Sequence, residues 1–195
     1  MLDHTEFVYD DLLPEDETAN EVELQPEPEL EPQEVEVELD GEEEKSPSYH
    51  LADSLAHFLA DTVTMYSIVH GYHWNVKGKD FKEFHSFFGD IYEDVYSAED
   101  TIAEYIVTLG YDAPYLPADF VELTCLKSVQ RVTSGDINEM VQSILEINEH
   151  VVEEIKALFD LATAAKENGI ANFIADRQDA HTKWGWQLRA TLGQH

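Results

Sequence analysis

The chain has little positive charge. Its 195 residues carry 11 Lys and Arg against 42 Asp and Glu, a formal charge of −31 at pH 7. Nucleic-acid affinity rests on basic side chains that neutralise phosphates, so this balance argues against a general nucleic-acid binder. Cysteine is nearly absent. The single Cys125 excludes a disulfide framework and a cysteine-ligated zinc site, and its ordinary place is as a small buried hydrophobe. Long apolar runs are missing as well. No stretch of about 18 apolar residues occurs, so no transmembrane helix is expected. The first six residues hold no basic residue and no apolar run of signal-peptide length. The expectation is a soluble, reduced, cytoplasmic protein.

The charge is distributed unevenly. Residues 1–50 hold 19 acids and one base, Lys45, and five of the seven prolines. The stretch from Glu21 to Glu44 is low in complexity and has no aromatic residue. Its like charges repel, and it has too little apolar surface to offset chain entropy. Residues 1–47 are therefore expected to form a disordered acidic arm, followed by one domain over 48–195. Within the arm, the Val35–Leu39 alternation could form a strand only on an edge supplied by a partner. Phe7-Val8-Tyr9 and Leu12-Leu13 resemble a short docking segment, and a solvating tail with chance hydrophobes is the preferred reading.

After Pro47 the apolar residues recur at helical spacing. Leu51, Leu55, Phe58, Thr62, Tyr66, Val69 and His73 make one face of a long helix starting near Ser48. Phe84, Phe87, Phe88, Ile91, Val95, Ile102 and Ile106 make the face of a second, from about Asp80 to Leu109, with Gly110 as its stop. Pro114 and Pro117 break up the next segment, where Phe120, Val121 and Leu123 fit one short helix. Asp136 to Glu139 reads as a capping box opening a third long helix, with Asn168-Gly169 as its stop. Ile170, Phe173, Ile174, Arg177, His181, Trp184 and Leu188 line a fourth. Two short links imply antiparallel hairpins, and the middle link is long enough to cross a bundle. The expected fold class is all-α, a four-helix bundle with one long crossover carrying a short helix, the connection of ferritin-like bundles.

Four side chains stand out for chemistry. His73 and His85 flank the first turn, and Asp100 and Glu104 lie one helical turn apart on one face of the second helix. Imidazole with carboxylate suits iron or another first-row transition metal. Along one helix, however, His85 and Asp100 are about 22 Å apart at 1.5 Å per residue. A site using all four needs two copies of this helix, side by side and antiparallel. By spacing alone, hydrogen-bonded histidines and a solvated acidic face, like that of Glu93-Asp94 and Glu99, are the preferred description of these residues.

The wording around them is more specific. The run from His73 to His85, HWNVKGKDFKEFH, closely resembles the helix-turn-helix signature of the Dps family of ferritin-like mini-cages. The likeness continues through Tyr92, Asp100-Thr101-Ile102-Ala103-Glu104, Leu109-Gly110, Gly135-Asp136, Met140-Val141, Asn148-Glu149-His150 and Trp186-Gln187-Leu188-Arg189-Ala190. It spans about residues 49–192. The resemblance implies a dodecameric hollow shell that oxidises ferrous iron, with peroxide or oxygen, and stores the ferric mineral. It implies a ferroxidase site between two-fold-related subunits: His73 and His85 from one subunit, Asp100 and Glu104 from the other, with Trp74 nearby to quench radicals. A buried packing role for Trp74 is compatible with that. A bacterial and a phage origin both suit the family.

The chain departs from the family pattern four residues after His85. An acidic ligand is usual there, and this chain has Gly89, with Asp90 one step and about 100° further around the helix. Near the family's acidic pore a usual aspartate is matched by Asn172, which leaves Glu167 and Asp176 as candidate pore residues or plain solvated surface. Some members of the family coat DNA through lysine-rich arms. This chain has the opposite arm, and a shell bearing twelve copies would repel DNA. A solubility brush or a partner-docking element fits it better.

Overall fold

A computed structural model describes residues 46–130, 132 and 135–194. The acidic arm expected over 1–47 lies, as far as Lys45, outside the described residues. The body is built from helices α1 (Pro47–Asn75), α2 (Phe81–Thr108), α3 (Pro117–Leu123), α4 (Ile137–Ala164) and α5 (Asn168–Thr191), with a 3₁₀ turn at Leu126–Ser128. Among the described residues there is no strand. The all-α four-helix bundle with a crossover carrying one short helix is the observed fold.

Local chemistry sets the helix ends. The Ser46 side chain accepts a hydrogen bond from the Tyr49 N–H, and Pro47 occupies the first turn, where its missing N–H leaves nothing unpaired. The Asp136 carboxylate accepts from the N–H groups of Asn138 and Glu139 at 2.8 and 3.3 Å and starts α4. Gly78 (φ 121°) opens the turn between α1 and α2, and Gly110 (φ 91°) terminates α2.

One boundary differs from the sequence reading. Asn168 and Gly169 do not stop α4; they are the first two residues of α5. The chain turns earlier, at Lys166, which takes φ 63°. There the Lys166 N–H donates to the Thr163 carbonyl and the Glu167 N–H to that of Ala162. This wraps the last carbonyls of α4 with a lysine in the left-handed position that usually favours glycine.

Helix α1 packs on α2, α4 packs on α5, and α1 joins the two pairs through α4. Leu51, Leu55, Phe58 and Val69 of α1 meet Phe88, Ile91, Val95, Ile102 and Ile106 of α2 in the core, all fully or almost fully buried. Each such side chain contributes about 1.5–3 kcal/mol through area removed from water. The crossover is held to α1 by polar contacts. The His57 ring donates from Nδ1 to the Leu123 carbonyl at 2.7 Å, and the buried Asp61 accepts from Thr124 and Cys125.

A polar network ties α2, α4 and α5 together. The Arg177 guanidinium grips Asp94 through two hydrogen bonds of 3.1 and 2.9 Å, and the Trp184 indole donates to the same carboxylate at 2.8 Å. Burial pushes the Asp94 carboxyl up, but these bonds and the Arg177 charge outweigh it and hold the group below its ordinary value. Arg177 also donates to Nε2 of His181, whose Nδ1–H donates to the Asn148 side chain. That assigns His181 as a neutral imidazole. Burial, then the Arg177 charge, lower its pKa to about 3. The expected solvated face at Glu93-Asp94 and Glu99 therefore does not hold throughout. Asp94 is bound into this network, and burial raises the Glu99 carboxyl.

Candidate metal centre

His73 sits in the last turn of α1 and His85 near the start of α2. The tight turn between these helices brings the rings into a stack, with centroids 3.7 Å apart and planes tilted by 22°. The Nδ1 of His73 lies 2.6 Å from the carbonyl of His85, and the Nδ1 of His85 lies 2.9 Å from the carbonyl of His73. A carbonyl only accepts, so each Nδ1 carries the proton and donates. Each Nε2 then keeps its lone pair. Metal-ligating imidazoles are commonly fixed in this way, with the far nitrogen anchored and the near one left for the ion.

Asp100 and Glu104 are exposed on the later turns of the same continuous α2. They stay about 22 Å or more along the helix from His85. Among the described residues of one chain, no third carboxylate, thiol or imidazole completes a group with the two histidines. The structure thus brings His73 and His85 together and leaves Asp100 and Glu104 apart from them within the chain.

Gly89 is buried one turn beyond His85. A Cβ placed there would lie 3.6 Å from Cε1 and Nδ1 of His73, an ordinary contact, so the position faces the ring and has room for a Cβ. Asp90 and Glu93 are exposed. Trp74 is 67 % exposed instead of buried, its ring 4.2 Å from that of His70. Glu167 and Asp176 lie at the start and middle of the α5 region, with Asn172 between them.

The sequence reading named Trp74, Tyr66 and Tyr92 but not His70 or Tyr96, nor the contacts among them. His70 stacks on Tyr92 at 4.1 Å, Tyr92 meets His73 edge-on at 5.1 Å, and Tyr66 lies 5.2 Å from Tyr96. His70 is one turn before His73, a signal the sequence carries. The Tyr96 and Phe81 side chains of α2 remain exposed on the same side. No helix among the described residues is long and apolar enough to cross a membrane.

The ferritin-like domain model matches residues 52–195. The "DNA protection during starvation protein" of Helicobacter pylori is 32 % identical over 138 residues, covering 71 % of this chain and 95 % of that protein. The crystal structure of the Dps protein from Vibrio cholerae O1 superposes with a TM-score of 0.71 at 27 % identity, over 75 % of this chain and 91 % of that one. It is described as a member of a broad superfamily of ferritin-like diiron-carboxylate proteins. The Dps protein from Bacillus brevis gives a TM-score of 0.70 at 28 % identity, over 77 % and 99 % of the two chains. The helical bundle, the crossover, the paired histidines at the α1–α2 turn and these likenesses agree: the chain belongs to the Dps family of ferritin-like proteins.

Proposed function

We propose that this protein is a ferroxidase and iron-storage cage of the Dps type, working in the cytoplasm of a bacterial cell, whether encoded by host or phage. It takes Fe(II) as substrate, oxidises it with peroxide or oxygen, and sequesters the ferric mineral. The observation that carries this reading is the mutual anchoring of His73 and His85, which presents two Nε2 lone pairs at one exposed turn. With peroxide, two Fe(II) each give up one electron, the O–O bond breaks, and with two protons both oxygens leave as water. Removal of this metal and oxidant pair prevents radical formation, which fits the name of the Helicobacter relative.

The remaining ligands come from a second copy. Phe81, His85, Gly89, Tyr92, Tyr96 and Asp100 follow one another at steps of three or four on α2 and share a face. Laying a second α2 antiparallel on this face, with the two-fold axis near Tyr92–Tyr96, sets His85 opposite Asp100 and Glu104 of the partner subunit. The exposed Phe81, Tyr96 and Trp74 supply apolar area for that contact. Hard carboxylate oxygens favour the ferric product, and Trp74 stands beside His73 to intercept radicals. Repetition of the contact with closed symmetry gives a shell, with twelve subunits as in the family's mini-cages. The acidic stretch up to Lys45, which precedes the Ser46 cap of α1, repels DNA and serves as a brush or a docking segment.

A second reading is favoured by Gly89, which puts no carboxylate against His73. In it, the protein is a Dps-like shell with weakened metal chemistry whose acidic arm recruits a protein partner. Rapid mixing of the assembled protein with Fe(II) and peroxide separates the two, since only the first reading gives ferric product faster than a variant without the ligands.

A further inference from the structure

Asp61 is an acid in the middle of an apolar stretch of α1, and none of its side chain reaches solvent. Its Oδ1 is fully used: Thr124 Oγ1 donates to it at 2.6 Å and the Cys125 N–H at 2.7 Å. Its Oδ2 is buried and takes no backbone or hydroxyl donor, and the neighbouring Glu154 carboxyl shares a hydrogen bond with the same carboxylate. The nearest basic atom is Nε2 of His150 on α4, at 3.3 Å. An ionised oxygen left in that state is costly unless a cation compensates it.

Two further donor groups converge on this carboxylate. The two bonds to Oδ1 fold the crossover so that Cys125 lies over it. The Asp61 carboxylate, the Cys125 Sγ and the His150 ring nitrogen all lie within 4.8 Å of one another. Cys125 is exposed, contrary to the expectation of a buried hydrophobe. It lines an open cleft of about 950 Å³ together with Glu139, Glu146 and His150, so an ion has an acidic route to the group. The cluster has an excess of acids. Burial and the Asp61 charge push the neighbouring Glu154 carboxyl up to about 8, and burial, Asp61 and Glu154 raise the Cys125 thiol. A divalent cation would reverse both effects.

We propose that Asp61, Cys125 and His150 form a second metal site, inside each chain, for a borderline-soft divalent ion of the zinc type. Carboxylate, thiolate and imidazole are the donors zinc takes, in a tetrahedral set whose fourth place is left to water or Glu154. This departs from the expectation that a single cysteine excludes cysteine-ligated zinc, because here one cysteine suffices beside an acid and a histidine. Thr124 and the Cys125 N–H anchor the carboxylate from behind, as outer partners of metal ligands do. Binding forms a metal–sulfur bond and releases the thiol proton to water. The site lies twelve residues before His73 on α1, about 18 Å along the helix, and is independent of the iron reading.

Cobalt(II) reports a thiolate ligand directly, through a sulfur-to-cobalt charge-transfer band that imidazole and carboxylate alone do not give. The full-length protein, stripped of metal and reduced, is titrated with Co(II) and then with Zn(II). The expected result is a charge-transfer band saturating at one Co(II) per chain and bleached by Zn(II). Cys125→Ser should abolish it, and His150→Ala should weaken binding by at least about tenfold. His150 is half-exposed, so its removal leaves the fold in place, and circular dichroism checks that. Absence of the band at saturating Co(II), or a band with the same affinity in His150→Ala, overturns the proposal and leaves Asp61 as an anchor for the crossover alone.

Discussion

His73 and His85 each donate an Nδ1–H to the other's main-chain carbonyl, at 2.6 and 2.9 Å. The pair is closed on itself, and its rings stack 3.7 Å apart. The backbone of the α1–α2 turn thus fixes both tautomers with no help from any other side chain. The histidine half of the candidate site is thus preorganised within one chain.

The two-fold reading makes Tyr96 central to assembly. The side chain is 59 % exposed in the single chain and lies between the histidine and carboxylate ends of α2. Tyr96→Glu sets two like charges face to face near the axis, which disfavours the contact. Sedimentation velocity should show the large closed oligomer of the wild type replaced by monomers or small species, while circular dichroism stays unchanged. A Tyr96→Glu protein that sediments like the wild type removes this face from the subunit contact.

Gly89 offers a gain of function. A Cβ there meets the His73 ring at 3.6 Å, an ordinary contact, so a side chain can start at this position facing the ring. Gly89→Asp should raise the initial rate of Fe(II) oxidation several-fold, by adding a hard oxygen ligand that stabilises the ferric product. Gly89 is buried, so without a cation the new carboxylate should cost more than the replaced helical glycine gains, and the melting temperature of the metal-free protein should fall. Stopped-flow absorbance of the ferric product measures the first effect and thermal unfolding the second.

Lys166 marks a small reserve of stability. It occupies φ 63° at the end of α4, where a side chain is disfavoured and glycine is not. Lys166→Gly should stabilise the protein by about 1 kcal/mol, read as an upward shift of the chemical unfolding midpoint with an unchanged slope.

His181 sets an acid limit. Its folded pKa is about 3 against an ordinary value of 6.5, through burial and the Arg177 charge. Between these values the unfolded chain binds a proton that the folded chain excludes. Its contribution to stability is therefore complete above about pH 6.5 and is lost as pH falls towards 3. Thermal unfolding between pH 7 and pH 4 should show the decline, and His181→Gln should flatten it.

Much of this was legible in the sequence because the core obeys one period. The steps from Leu51 to Val69 and from Phe88 to Ile106 placed two long helices, and the long link before Asp136 placed the crossover. The α4–α5 boundary was misread because Asn168-Gly169 carries the residues of a helix stop. In fact Lys166 adopts the left-handed turn, and a lysine gives no such signal. His73 and His85 were readable as a pair, but not their reciprocal carbonyl bonds, which depend on the angle between two helices. The cluster of Asp61, Cys125 and His150 was hidden for another reason. Its members are 64 and 25 residues apart, and only the crossover's path over α1 brings them together. Likewise Asp94 looked like surface until Arg177, on α5, was seen to reach it.

The central claim is that the two histidines of one chain and the acids of another together hold Fe(II) for its oxidation by peroxide or oxygen. Rapid mixing of the assembled wild type and of a His73→Ala/Asp100→Ala variant with Fe(II) and peroxide, followed by the absorbance of the ferric product, tests it most directly. The account predicts a wild-type rate at least about tenfold above that of the variant, the loss expected when a few first ligands are removed. Equal rates in the two proteins would contradict it and leave a shell without the enzyme.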